Sequence, residues 1–199
     1  MKLINMQSYH CSQVAKLHLK HLQTVFCGKP GFKLLQSYYL AIIFSKGASG
    51  FVVESNNDVI GYICGVWDPS DVHATLLKRG LPALCFWGVL QMLIHPQMIA
   101  DFLGRLFGAT DSFNSESGYE LRPIVVTPKS RGSGTATLLL NTLLEDAENR
   151  GFSHVHLFTE ENNLASRRFY SKSGFNLIDQ FDYHGLVYFK YEYIFFNPL

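Results

Sequence analysis

At 199 residues, with 47% hydrophobic and 17% charged side chains and a net charge of +1, the chain has the size and apolar content of a single packed domain spanning residues 1–199. Nothing in its charge balance draws it to nucleic acid or to an anionic membrane. Four cysteines, Cys11, Cys27, Cys64 and Cys85, have neither CxxC nor metal-finger spacing and read as reduced thiols of a cytoplasmic protein with no metal. No signal peptide is read at Lys2 and after. The longest apolar run, Leu81 to Ile94, holds Pro82 and Gln91 and is shorter than the ~20 residues of a membrane span.

Lys2 to Met6 reads as a first strand. From Ser8 a helical spacing sets in, with Val14, Leu17 and then His21 or Leu22 on one face. Cys27-Gly28-Lys29-Pro30-Gly31 is expected to break it. Phe32 to Phe44 then gives a second helix, with Leu35, Tyr38, Tyr39 and Ile42 at helical spacing. Phe51 to Glu54 and Val59 to Trp67 read as an antiparallel hairpin around Asn56-Asn57-Asp58, closed by Asp68-Pro69-Ser70-Asp71. Residues 71 to about 110 form a long apolar helical insertion, with breaks expected at Gly80 and near Pro96.

Tyr119 to Val126 is a strand, and Gly134 to Arg150 a helix with Leu139, Leu140, Leu143, Leu144 and Ala147 on one face, stopped at Gly151. His154 to Thr159 is a strand, and Asn162 to Ser173 a helix stopped at Gly174. Phe175 to Asp182 and Leu186 to Phe196 are two last strands around Tyr183-His184-Gly185. In the last of them Val187, Phe189, Tyr191, Tyr193 and Phe195 alternate with more polar residues, which gives it one buried face. The order of elements is that of an α/β protein with a mixed sheet.

Between the strand ending at Val126 and the helix after Gly134 lies Thr127-Pro128-Lys129-Ser130-Arg131-Gly132-Ser133-Gly134-Thr135-Ala136. A glycine turn opening a helix presents free backbone N–H groups where the macrodipole favours negative charge, a place to hold a pyrophosphate. It is not a Walker A loop, because Thr135 and Ala136 follow the last glycine instead of a lysine and a serine or threonine. Nor is it a dinucleotide fingerprint, because Thr137 stands where the third glycine would be.

These residues resemble the GNAT superfamily of acyl-CoA-dependent N-acyltransferases. Arg131-Gly132-Ser133-Gly134-Thr135-Ala136 matches its Q/R-x-x-G-x-G/A signature, led in by Val126 and Pro128 and followed by a leucine-rich helix. Asn163, Ser166, Phe169, Tyr170, Gly174 and Phe175 match its N-x-x-A-x-x-F-Y-x-x-x-G-F pattern, with serine at the usual alanine. The insertion at 71 to 110 departs from the minimal family pattern. The resemblance implies a mixed, mostly antiparallel sheet flanked by helices, with acetyl-CoA as co-substrate and no metal. It implies that Arg131, Gly132, Ser133, Gly134, Thr135 and Ala136 hold the pyrophosphate. Ile124, Val125 and Val126 would pair through their backbone with the pantetheine arm, Asn163 would hydrogen-bond that arm, and Tyr170 would lie near the thioester sulfur. Asn163 also suits a plain helix N-cap, and Tyr170 a core aromatic.

The implied reaction is direct attack of an amine on the acetyl carbonyl, with backbone N–H groups near Val126 facing the oxyanion and Tyr170 protonating the departing thiolate. An ordinary tyrosine pKa of about 10 against about 8.5 for a thiol makes that last transfer uphill unless the site assists. Glu120, on the strand leading into the turn, is the candidate base. His156, Glu160 and His73 are its runners-up, and Arg167, Arg168 and Lys172 are candidates for the ribose phosphate.

The expected acceptor is a small-molecule primary amine, an amino sugar among the options. Lys78, Arg79 and Arg105 are placed to meet a phosphate on it. The alternatives are a protein N-terminal or lysine acetyltransferase and a non-catalytic acyl-CoA-binding module. The apolar insertion must be buried on the domain, over the acceptor or in a homodimer, for which the last strands are the other surface.

Overall fold

The computed structural model describes residues 1–22, 28–94, 118–183 and 185–195. Seven strands form one sheet in the order β1-β2-β3-β4-β5-β7-β6. Strand β1 (Lys2–Asn5) leads through a 3-10 turn (Ser8–His10) into α1 (Cys11–His21) and α2 (Gly28–Phe44). The hairpin β2 (Ala48–Ser55) and β3 (Asp58–Val66) follows, then α3 (Pro69–Ile94). Strand β4 (Tyr119–Val126), helix α4 (Thr135–Asn149), strand β5 (His154–Glu160), helix α5 (Leu164–Lys172) and the hairpin β6 (Asn176–Tyr183) and β7 (Leu186–Ile194) complete the order. Every neighbouring pair is antiparallel except β4 and β5.

Local chemistry explains the turns. Asn56 and Asn57 both adopt positive φ (51° and 65°), the backbone of a tight primed turn that suits the twist of the β2–β3 hairpin. Gly151 and Gly174 (φ 83° and 90°) end α4 and α5 in the left-handed conformation that side chains resist.

Alternation along the strands gives the sheet two apolar faces. One, built from Val52, Tyr62, Cys64, Val66 and Val125, packs on α1 and α2 through Val14, Leu35, Tyr39 and Ile42. The other, built from Phe51, Val53, Ile63, Tyr119, Leu121, Val155 and Leu157, packs on Leu139, Leu140, Leu143 and Ala147 of α4. Each such leucine, buried whole, contributes about 1.5–3 kcal/mol.

Two expected helix breaks are not found where the sequence places them. The first helix ends earlier than expected, at His21 with Leu22 extended, and Gly28 to Gly31 already form the first turn of α2, with Gly28 at φ 58°; Cys27 lies outside the described residues. Gly80 does not break the insertion either: α3 is continuous from Pro69 to Ile94 and carries Pro82 inside it. Packing on α2 overrides the local penalty, with the Arg79 guanidinium 3.8 Å over the Phe44 ring and Lys29 5.7 Å from Trp87. The break expected near Pro96, and Arg105, lie outside the described residues.

Candidate active site

At the end of β4, the Thr127 N–H donates to the Ile60 carbonyl of β3 (2.8 Å). Pro128–Ser130 then make one 3-10 turn, and the chain passes Gly132 and Gly134, both at positive φ (76° and 81°). That backbone is the reason for glycine here. Space is not, since a Cβ at either position would meet nothing within 4 Å. Gly134 is the N-cap of α4 and no side chain caps the helix, so the first N–H groups of α4 have no partner within the helix. Arg131, Gly132, Ser133 and Gly134 are exposed around them, while Thr135 is buried. The Ser133 hydroxyl is held by the Ser130 carbonyl and the Thr135 hydroxyl (2.7 Å each). This is an exposed, positively polarised helix end, the chemistry of an anion site.

Strands β4 and β5 pair only at Tyr119↔Val155 and Glu120↔His156. Beyond that row β4 continues to Val126 with β3 as its neighbour, and β5 continues to Glu160 with β7 as its neighbour. Because Thr127 turns its N–H to β3, the alternation of main-chain groups turns those of Val126 and Ile124 to the opposite, unpaired edge. Pro123 sits where the register between β3 and β4 shifts, one of the few places a sheet interior accepts a residue without an N–H. The result is a cleft between diverging strands, lined by backbone, that runs toward the helix end at Gly134.

Glu120 stands at the root of this cleft. Its neighbours Tyr119 and Leu121 point to the α4 face, so Glu120 and Arg122 point to the α1/α2 face. There the Arg122 guanidinium meets the Glu120 carboxylate at 2.7 Å, with the Tyr38 phenol of α2 beside it. Burial raises the Glu120 carboxyl above its ordinary range, and the Arg122 charge and hydrogen bond oppose that rise. Burial likewise pushes the Tyr38 phenol up to about 12. His156, opposite Glu120, is 3% exposed with Nδ1 buried and unpartnered. Burial, then the charges of His154 and Arg122, lower it to about 4, so it is neutral at pH 7 and a weak proton acceptor.

The remaining sequence candidates fall in several places. Asn163 is the N-cap of α5, its side chain accepting from the Ser166 N–H (3.2 Å). Tyr170 is 6% exposed, in the core of the α4 face beside Phe169, Phe175 and Tyr191. Burial raises its phenol well above the ordinary value, so it stays protonated. Arg167 is engaged by its own fold, with an N–H on the Glu161 carbonyl (2.9 Å) and its guanidinium 4.2 Å over Phe189, while Arg168 and Lys172 are exposed. Glu160 accepts from the Tyr188 hydroxyl (3.4 Å), and His73 is exposed on α3. Among the described residues no group of three or more His, Cys, Asp or Glu is placed to hold a metal ion, and no helix is long and apolar enough to cross a membrane.

Arg122 and Tyr38 escaped the sequence reading. Opposite charges two apart on a strand share a face, so the Glu120–Arg122 pair had a signal; Tyr38, brought from α2, had none.

With this geometry in view, the Acetyltransferase (GNAT) family matches residues 17–175, which spans both strands of the cleft and the glycine turn. The chain belongs to the GNAT family of acetyltransferases. Solved structures carry the same fold over nearly the whole chain. An N-acetyltransferase from Staphylococcus aureus Mu50 is 17% identical with a TM-score of 0.62, covering 97% of each chain. A ribosomal-protein-alanine N-acetyltransferase from Brucella melitensis is 15% identical with a TM-score of 0.62, covering 98% of this chain and 100% of its own. The protein yncA from Salmonella typhimurium, solved with its cofactor acetyl-CoA, is 17% identical with a TM-score of 0.59, covering 97% of this chain and 92% of its own. No curated protein matches by sequence.

Proposed function

We propose that this GNAT acetyltransferase, a single domain over residues 1–199, moves the acetyl group of acetyl-CoA to the primary amine of a small-molecule acceptor by direct attack. The observation that carries the reading is the parting of β4 and β5 after Glu120↔His156, which joins an unpaired backbone edge to an uncapped helix end. An extended pantetheine arm fits the first and a pyrophosphate the second. Acetyl-CoA supplies the activated acetyl thioester.

In this reading the N–H groups at Gly132, Ser133, Gly134, Thr135 and Ala136, with Arg131, hold the pyrophosphate. The edge of Ile124, Val125 and Val126 binds the arm and gives an N–H to the carbonyl oxygen as it gains charge. The Asn163 amide, whose oxygen already caps α5, has its NH2 group left for the arm. Glu120 takes the proton of the attacking amine, and Tyr170 gives one to the departing sulfur. The amine approaches from the α1/α2 face, where Glu120 lies, and Tyr170 comes from the opposite face.

The test is turnover of acetyl-CoA against a panel of amines: polyamines, amino sugars, amino acids, and peptides with free N-termini or lysines. Turnover with a small amine, lost in Glu120→Gln, supports the reading. Turnover with the peptides alone would make it a protein acetyltransferase. Binding of acetyl-CoA with no turnover across the panel would favour a non-catalytic acyl-CoA-binding module.

A further inference from the structure

We propose that Arg122 is the positioning residue of this site: its guanidinium grips the Glu120 carboxylate, Tyr38 braces it from α2, and together they hold Glu120 as an ionised base at the point where β4 and β5 part. The proposal rests on the reading of Glu120 as the base.

The geometry is that of a device built for one partner. Glu120 and Arg122 are two apart on β4 and meet at 2.7 Å, with side chains 15% and 30% exposed. The Tyr38 phenol of α2 lies beside the same guanidinium, so groups from two elements flank it. The guanidinium also keeps Nε buried with no partner, a state that costs stability. Buried ion pairs are commonly replaceable by apolar pairs at no loss of stability, so a pair with an unsatisfied N–H is poorly explained by folding alone.

The other groups near the carboxylate do not do this work. His156 of β5 is neutral, held there by burial and by the His154 and Arg122 charges. His154 faces Glu192 of β7 at 3.7 Å. Burial raises the Cys64 thiol of β3 and the Tyr38 phenol of α2, which leaves both neutral. Against the burial that pushes Glu120 toward its protonated form, the opposing pull resolved among the described residues comes from Arg122. Without it the desolvated carboxyl holds its proton to a higher pH, and below that pH it cannot take one from an amine.

The experiment is carboxyl-carbon NMR on the full chain labelled at glutamate, with Glu120→Gln assigning the resonance. Arg122→Gln should raise the Glu120 titration midpoint by about one unit or more, and Arg122→Lys, which keeps the charge without the fork, should move it less than half as far. An unchanged midpoint in Arg122→Gln, or a lysine variant no closer to wild type than the glutamine one, overturns the proposal. Should Arg122→Gln fail to fold, Tyr38→Phe reads the same resonance: a smaller upward move is expected, and none overturns it. Calorimetry with acetyl-CoA supplies the control. Weakened binding in Arg122→Gln with an unmoved midpoint assigns Arg122 to the thioester and also overturns it. Full turnover by Glu120→Gln would remove the base reading, and with it the purpose of the brace, while the titration midpoints would still show whether Arg122 holds the carboxylate ionised.

Discussion

Glu120 lies directly opposite His156 in the last row that joins β4 to β5. The two residues mark the root of the cleft, and they differ in how they are held. Glu120 has an arginine at 2.7 Å, whereas His156 is shut in with Nδ1 unpartnered and lowered to about 4. Of the two, the carboxylate is the group equipped to accept a proton near neutral pH.

Glu120→Gln should therefore lower kcat by about 10²–10⁴-fold and leave the acetyl-CoA dissociation constant unchanged. Because burial raises the Glu120 carboxyl, wild-type kcat/KM should fall on the acid side at a pH above the ordinary carboxylate range, and this limb should vanish in the variant. A steady-state pH profile checks both.

Tyr170→Phe should reduce kcat by about 10²-fold, the lower end for general acid catalysis, since burial has raised the phenol and made it a reluctant donor. Affinity for free coenzyme A should not change. A variant with wild-type kcat would leave Tyr170 as a core aromatic only, as its neighbours Phe175 and Tyr191 allow.

Acid should destabilise the fold through its buried histidines. His18, hydrogen-bonded to the Tyr39 hydroxyl at 2.7 Å, and His156 are both lowered from 6.5 to about 4 by burial. Their folded-state pKa values lie below the unfolded ones, so their stabilising effect is full above pH 6.5 and is lost as pH falls toward 4. The loss is about 2–3 kcal/mol for each histidine. Thermal melts from pH 7.5 to 4.5 should show Tm falling in this window, with a shallower fall in His156→Gln.

Leu143→Ala should cost about 2–5 kcal/mol. Leu143 is 0% exposed in the cluster that fixes α4 on the sheet. Chemical denaturation checks the value, and a change below about 1 kcal/mol would contradict the packing described.

Much of the fold was legible because its signals are local. Asn56-Asn57 named the hairpin turn, the leucine stripe named α4, and Gly134, Gly151 and Gly174 stand where positive φ was needed. What stayed hidden was set by distant contacts. Nothing in the strands says that β4 leaves β5 after two residue pairs, because register depends on both partners. Gly80 looks like a break until α2 is laid beside α3. In the site the sequence offered Glu120 and Tyr170 singly; their placement on opposite faces of the sheet, and the Arg122–Tyr38 brace, needed the assembled structure.

Calorimetric titration of acetyl-CoA into the wild-type chain and into Gly134→Glu decides whether the uncapped N-terminus of α4 holds the pyrophosphate, as proposed above. Micromolar binding is expected for the wild type and none for the variant, which sets a carboxylate at the anion site and a side chain at φ 81° while thermal melts show it still folded. Equal binding by both proteins would contradict the proposal, as would no binding by a folded wild type.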